Sequence, residues 1–262
     1  MPAEPDCVAG ALMAGMEMNM GAVTYKAVSH RGDREYNEDG VYAAEAKGQY
    51  CMALADGLGG HGNGHVASRT LLDFQKKQFE EQGMSGEFIK KAFEEGQKSL
   101  WAKKKEDEQY RDMMTTLVLL GIDETKAYWG HIGDSRLYYF QDGKLVKRTL
   151  DHSVPQVLVL NHEIEESEIR HHPDRNRLLK AMGEMEEEIT GYQKEEVELG
   201  GKQAFLLCSD GFWEYILEEE MVRVLNESDS VEEWMQEMEN IVKRNGRNYN
   251  MDNYSAIGVW IE

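Results

Sequence analysis

The order of secondary-structure signals in this sequence predicts an α+β fold with layered antiparallel sheets. Short strand-like runs come in consecutive blocks and helical runs come in pairs, without the βα alternation of a doubly wound parallel sheet. Asp142-Gly143 joins two of the strand-like runs as a hairpin turn, which makes that pair antiparallel. No Pro/Gly/Ser-rich linker divides the 262 residues, so a single domain is expected over 22–262.

Taken in order, strands are expected over 22–29, 40–44 and 50–55. Helices follow over 64–81 and 86–105, the second highly charged with apolar residues at Phe88, Ala92, Leu100 and Trp101. Strands over 115–122, 126–132, 136–141 and 144–149 then read as a meander. The stretch from 153 to 188 is polar and irregular, helical in pieces. Strands over 188–196 and 203–208 lead to helices near 211–217 and 230–243, and a strand over 253–261 closes the chain. Residues 1–21 are rich in Ala, Gly and Met. Glu4 and Asp6 stand where a secretory signal carries basic residues, and Glu17 interrupts the apolar stretch, so this segment is expected to be a poorly ordered leader.

Twenty-nine basic residues against forty-nine acidic ones leave a net charge of −20. Such a surface repels phosphate backbones and anionic leaflets, which argues against nucleic acid or a membrane as partner. With 41% hydrophobic residues and four prolines the chain can still bury a core. Cys7, Cys51 and Cys208 lie too far apart for a disulfide framework, which points to a reducing, cytoplasmic setting. No run of eighteen apolar residues occurs.

The acids at strand junctions carry the chemistry. The apolar run 51–55 ends directly in Asp56-Gly57, and the run 205–208 ends one residue before Asp210-Gly211. A strand end pins a carboxylate on a rigid element, and the glycine lets the backbone turn so that its carbonyl can also face a ligand. Asn37-Glu38-Asp39 and Asp252-Asn253 add acids at two more junctions. Acids gathered in this way repel one another unless cations separate them, and carboxylate and carbonyl oxygens suit Mg²⁺ or Mn²⁺. Zinc fits less well: His61 and His65 are four apart, but Gly62 and Gly64 disfavour a preformed helix face and no thiolate is near in sequence.

Seven segments, in order, resemble the type 2C metal-dependent protein serine/threonine phosphatases, most closely their compact bacterial members. They are Arg34-Glu35-Tyr36-Asn37-Glu38-Asp39, Ala55-Asp56-Gly57-Leu58-Gly59-Gly60-His61, Thr115-Thr116-Leu117, Gly133-Asp134-Ser135-Arg136, Asp151-His152-Ser153, Cys208-Ser209-Asp210-Gly211 and Asp252-Asn253. The resemblance implies a four-layer α-β-β-α sandwich of two antiparallel sheets flanked by helix pairs. It implies that Asp56 bridges two divalent ions (Mn²⁺ or Mg²⁺) and that the Gly57 carbonyl contacts one. By the same resemblance Asp210 and Asp252 hold the other ion, Glu38 and Asp39 act mainly through metal-bound water, and Asp134 with Asp210 holds a third, weaker ion. Arg34 would grip the substrate phosphate, and 153–185 would form a mobile flap tied to substrate choice.

The implied reaction is hydrolysis of phosphoserine or phosphothreonine in proteins by direct attack of a metal-bridging water, with no covalent phosphoenzyme. Leu58 follows the Asp56-Gly57 pair where many animal members have a histidine close by, so the proton donor stays open between His61 and a metal-bound water. Met114 stands where the third motif normally has glycine. The competing reading is a catalytically weak or dead phosphoprotein-binding member of the same fold. Asp56, Asp210 and Asp252 are all present, whereas a dead member should have lost one. A regulator-directed phosphatase acting on one anti-sigma-type partner fits less well, because those relatives usually lack the Arg34-type motif. The expected partners are phosphoproteins, a Ser/Thr kinase and its substrates among them, and the expected state is a monomer.

Overall fold

The computed structural model describes residues 22–58, 63–184 and 186–262. The strands are β1 (Val23–His30), β2 (Gly40–Ala46), β3 (Gln49–Ala55), β4 (Gly57–Leu58), β5 (Met114–Thr115), β6 (Leu117–Ile122), β7 (Lys126–Ile132), β8 (Arg136–Gln141), β9 (Lys144–Arg148), β10 (Gln193–Glu198), β11 (Gln203–Cys208) and β12 (Tyr254–Ile261). The α-helices are α1 (Gly64–Gln82), α2 (Gly86–Lys104), α3 (Val154–Leu160), α4 (Asp210–Trp213), α5 (Glu218–Glu227) and α6 (Val231–Gly246).

Two five-stranded sheets, β1-β12-β11-β8-β9 and β10-β7-β6-β3-β2, are antiparallel throughout. Strand periodicity divides the apolar residues between three core layers. In β11, Phe205 and Leu207 point between the sheets while Ala204, Leu206 and Cys208 point outward against the α4–α6 side. In β3, Met52 and Leu54 point between the sheets while Cys51, Ala53 and Ala55 meet α1 and α2. Both faces of the central strands are therefore buried, which is why they read as continuous apolar runs and not as alternating ones. The stack is α1–α2, sheet, sheet, α4–α6: the expected four-layer sandwich.

Each helix faces its sheet through a stripe at helical spacing. α1 buries Ala67, Leu71, Leu72 and Phe79, and α2 buries Phe88, Ile89, Ala92, Phe93 and Leu100. Gly96 lets the pair approach, because a Cβ there would lie 2.7 Å from Leu71 Cδ1. Ser230 caps α6 by accepting from the Glu233 N–H, and Trp234, Met235, Met238 and Val242 form its buried face. The β8–β9 hairpin turns at Asp142 (φ 49°) and Gly143 (φ 72°), the left-handed pair that the sequence predicts.

Four expectations shift. The run 115–122 is broken at Thr116, and Thr115 leaves the sheet to pair, together with Met114, with β4. The strand expected over 188–196 forms at Gln193–Glu198, where it pairs with β7. The helix expected over 211–217 is one turn, α4, and α5 follows it over a stretch that no helix was expected to occupy. Three acids fill the first turn of α5, where the helix dipole favours them. The leader and His61 lie outside the described residues.

Within 153–185, α3 and a 3-10 helix (Glu166–His171) dock on the sandwich. The bridge Thr115↔Met182 ties the segment to β5, and Ser153↔Leu178 closes it on itself. Arg170 fastens it further, donating to the Trp213 carbonyl and, at 2.6 Å, to Glu218 Oε2. Among the described residues no helix is long and apolar enough to cross a membrane.

Candidate active site

Strand ends and turns from both sheets meet around one cleft of about 370 Å³, lined by Arg34, Glu38, Asp56, Gly57, Asp134, Asp210 and Asp252 among others. Seven of the eight residues singled out in the sequence thus share a single cavity. The eighth, Asp39, lies buried beside it.

Asp56 is held by its backbone. Its N–H donates to Thr116 Oγ1 at 2.9 Å, and its carbonyl accepts from the Thr116 N–H and the Thr115 hydroxyl, each at 2.9 Å. Thr116 Oγ1 and Ser135 Oγ are 2.7 Å apart, which links the clasp to the Asp134 turn. The break at Thr116 creates this clasp. Gly57 has no room for a side chain: a Cβ would lie 2.2 Å from the Gly64 carbonyl oxygen and 2.7 Å from that of Glu38. Glu38 Oε1 accepts the Gly64 N–H at 3.0 Å, so this carboxylate also anchors the start of α1.

On the opposite wall, Asp210 opens α4 and its Oδ1 accepts the Gly211 N–H at 2.6 Å. Trp213, one turn on, donates its indole N–H to the Asp134 carbonyl at 3.0 Å, which fixes the Asp134 turn against α4. Asn253 ties the Arg34 segment to β12. Its Nδ2 donates to the Arg31 and Tyr36 carbonyls, and its Oδ1 accepts the Glu38 N–H. Arg34 donates to Asp252 Oδ2 at 2.6 Å on the cleft rim.

The electrostatics of the cleft are those of too many acids in too little water. Burial, reinforced by neighbouring carboxylates, pushes Asp56 and Asp134 well above the ordinary carboxylate range. Burial raises Asp210 to about 6, with Asp252 adding to the effect. Burial also raises Asp39 to about 7, opposed by hydrogen bonds from Ser255 and Ser209. Ser209 Oγ donates to Asp39 Oδ2 at 2.8 Å, while Asp39 Oδ1 is buried without a partner.

This donor set fits hard divalent cations. It is all oxygen, in carboxylate excess, and includes an orphaned buried oxygen. Among the described residues no three acid, histidine or cysteine side chains close on a point as a preformed chelate. Single carboxylates spaced around a cavity suit ions that keep several waters and take one or two carboxylates each.

Sequence reasoning singled out the acids and missed their supports. Thr116, Ser135, Ser209 and Asn253 all lie inside the quoted motifs, next to an acid or within a Thr pair, and that adjacency was the available signal.

A sequence model of the protein phosphatase 2C family matches residues 27–254. The serine/threonine protein phosphatase PstP of Mycobacterium tuberculosis is 33% identical over 205 residues, 77% of this chain and 38% of PstP, so the chain spans well under half of that relative. The serine/threonine phosphatase stp of Listeria monocytogenes is 30% identical over 208 residues, 76% of this chain and 81% of that protein. Among solved structures, serine/threonine phosphatase Stp1 from Staphylococcus aureus superposes with a TM-score of 0.83 at 28% identity, covering 95% of this chain and 99% of that one. The catalytic domain of PstP in complex with two manganese ions gives 0.78 at 28% identity, covering 91% and 98%. With the ordered motifs, the sandwich and the acid cleft already in place, the match over most of its length settles the matter: this chain belongs to the protein phosphatase 2C family of metal-dependent serine/threonine phosphatases.

Proposed function

We propose that this protein hydrolyses phosphoserine and phosphothreonine in proteins, using two divalent ions in the cleft and a third, weaker one at Asp134 and Asp210. The observation that carries this reading is the convergence of Asp56, Asp134, Asp210 and Asp252 with Arg34 around one cavity. Asp56, the Gly57 carbonyl, Asp210 and Asp252 would hold the two ions, with Asp56 shared between them. Glu38 and Asp39 would act through the water around the ions. When bound, such cations lower the pKa of a coordinated water and offset charge on the phosphoryl oxygens.

The chain's own groups do the positioning. Arg34 offers a planar fork to the phosphoryl oxygens and can steady the charge that spreads over them in the transition state. The Thr115–Thr116 clasp holds Asp56 still, so its carboxylate need not reorganise during reaction. Cys51 and Cys208 are buried in core layers outside the cleft, and burial pushes both thiols up, so neither serves as nucleophile. Their separate burial supports a reducing, cytoplasmic setting. The substrates are phosphoproteins, including a Ser/Thr kinase and its targets, and the enzyme acts as a monomer. No observation favours the binding-only alternative.

Hydrolysis of a phosphothreonine peptide with Mn²⁺, with chelator and with Asp56→Asn tests the reading. Turnover should require the metal and be lost in the variant. Metal-independent turnover, or full activity of Asp56→Asn, would overturn it.

A further inference from the structure

A second cavity of about 430 Å³, lined by Arg170, His171, Arg175, Glu214, Tyr215, Leu217 and Tyr249 among others, adjoins the cleft. Three segments contribute to both. Asp210 of α4 lines the cleft, and Glu214 and Tyr215, just past α4, line the groove. In the flap, Asn176 and Leu178 line the cleft, while His171 and Arg175 line the groove. In the loop before β12, Asp252 faces the cleft and Tyr249 faces the groove. On the groove wall the flap is joined to the residue just past α4 by an ion pair, Arg175 Nε to Glu214 Oε1 at 3.0 Å.

We propose that this groove is a docking site for the polypeptide beside the phosphorylated residue, taking a large apolar or aromatic side chain two or three positions away. The inference rests on the phosphatase reading of the cleft and names a substrate feature for it.

Three observations select that occupant. The groove presents Tyr249, 66% exposed, and Leu217, 52% exposed, with the Tyr215 ring 6.0 Å from that of Tyr249. Such surface gains most from covering an apolar partner. Its two guanidinium groups are each paired with a carboxylate, Arg175 with Glu214 and Arg170 with Glu218, so the groove carries little unbalanced positive charge for an acidic residue. Finally, the spacing fits. The Glu214 N–H donates to the Asp210 carbonyl, and Tyr215, five residues past Asp210, stands about 8 Å further along a helix axis. An extended peptide advances about 3.3 Å per residue and covers that in two or three positions.

The test uses phosphothreonine peptides in an Ala/Gly/Ser host with Phe at −3, −2, +2 or +3, against an all-Ala control, with Mn²⁺ present. In the unaltered protein at least one Phe peptide should show a KM about tenfold lower than the control. Tyr249→Ala and Leu217→Ser should remove that preference and leave p-nitrophenyl phosphate hydrolysis unchanged; both side chains are exposed, so the fold should persist. Equal KM for all peptides, or a preference that survives both substitutions, would overturn the proposal. Failure of the phosphatase reading would show differently, as no hydrolysis of p-nitrophenyl phosphate or any peptide. Fluorescence anisotropy then decides the groove by itself: Phe-dependent peptide binding lost in Tyr249→Ala supports it, and Phe-independent or absent binding overturns it.

Discussion

The Arg34 guanidinium and the Asp252 carboxylate, 218 positions apart in sequence, meet at 2.6 Å on the rim of the acid cleft. One is the group proposed to grip substrate phosphate, and the other is proposed to hold a divalent ion. A guanidinium and a cation compete for the same carboxylate oxygens, so metal at Asp252 favours release of Arg34 toward the phosphoryl group.

Arg34→Ala should therefore separate substrate binding from metal binding. We expect kcat/KM for a phosphothreonine peptide to fall by about ten- to a hundredfold, the range of one or two charge-assisted hydrogen bonds. Mn²⁺ affinity measured by calorimetry should be unchanged or tighter. Both side chains are well exposed, so the melting temperature should barely move.

Metal binding should stabilise the fold, and one carboxylate should control the sign. Mn²⁺ at about a hundred times its Kd should add about 3 kcal/mol, or about 5–10 °C in a thermal melt of a chain this size. Asp56→Asn removes a buried carboxylate held far above its ordinary range, so without metal the variant should melt at or above the unaltered protein. Added Mn²⁺ should then shift it much less.

Behind the site, Arg136 grips Asp151 through two bonds of 2.8 and 2.7 Å, with both side chains almost fully buried and the guanidinium 3.4 Å from the Trp213 ring centre. Asp151→Ala strands buried cations and should cost about 3–5 kcal/mol in urea unfolding. Arg136→Met combined with Asp151→Leu should recover most of that loss, because it removes the desolvated charges together.

His131 supplies a pH dependence. Burial pushes its imidazole down to about 4 from 6.5, and the neighbouring His152, stacked at 4.9 Å, disfavours a second positive charge. A folded-state value below the unfolded one means that the unfolded chain takes up the proton first. This contribution to stability is present above pH 6.5 and is lost as the pH falls toward 4, amounting to about 3 kcal/mol. Urea unfolding of the metal-free protein across that window should show a steeper acid loss than His131→Gln, and equal slopes would contradict it.

The legibility of this protein in its sequence follows the range of the interactions involved. Asp56 and Asp210 stand out because a rigid apolar run ends beside each and a glycine follows, which are local facts. The Thr116 clasp does not, because Thr115 and Thr116 continue a strand pattern and only their bonds to Asp56, about sixty positions away, show why the strand breaks. α5 does carry an apolar stripe at helical spacing, Met221 and Val224 buried with Val222 and Leu225 packed beside them, but it spans only ten residues behind an acidic first turn. Glu218 at its start is held in place by Arg170 from the flap. β10 alternates weakly and takes its position from pairing with β7.

The block order of strand and helix signals and the ordered motifs were enough by themselves to determine the layered antiparallel class, the family, and the acids that gather in the cleft. Only the tertiary structure decided how those acids are held, that Arg34 rests on Asp252, and that a tyrosine-lined groove continues the cleft past Arg175–Glu214. The physical reason is that patterning acts over a few residues, whereas burial, carboxylate repulsion and cavity shape arise where segments distant in sequence share one small volume.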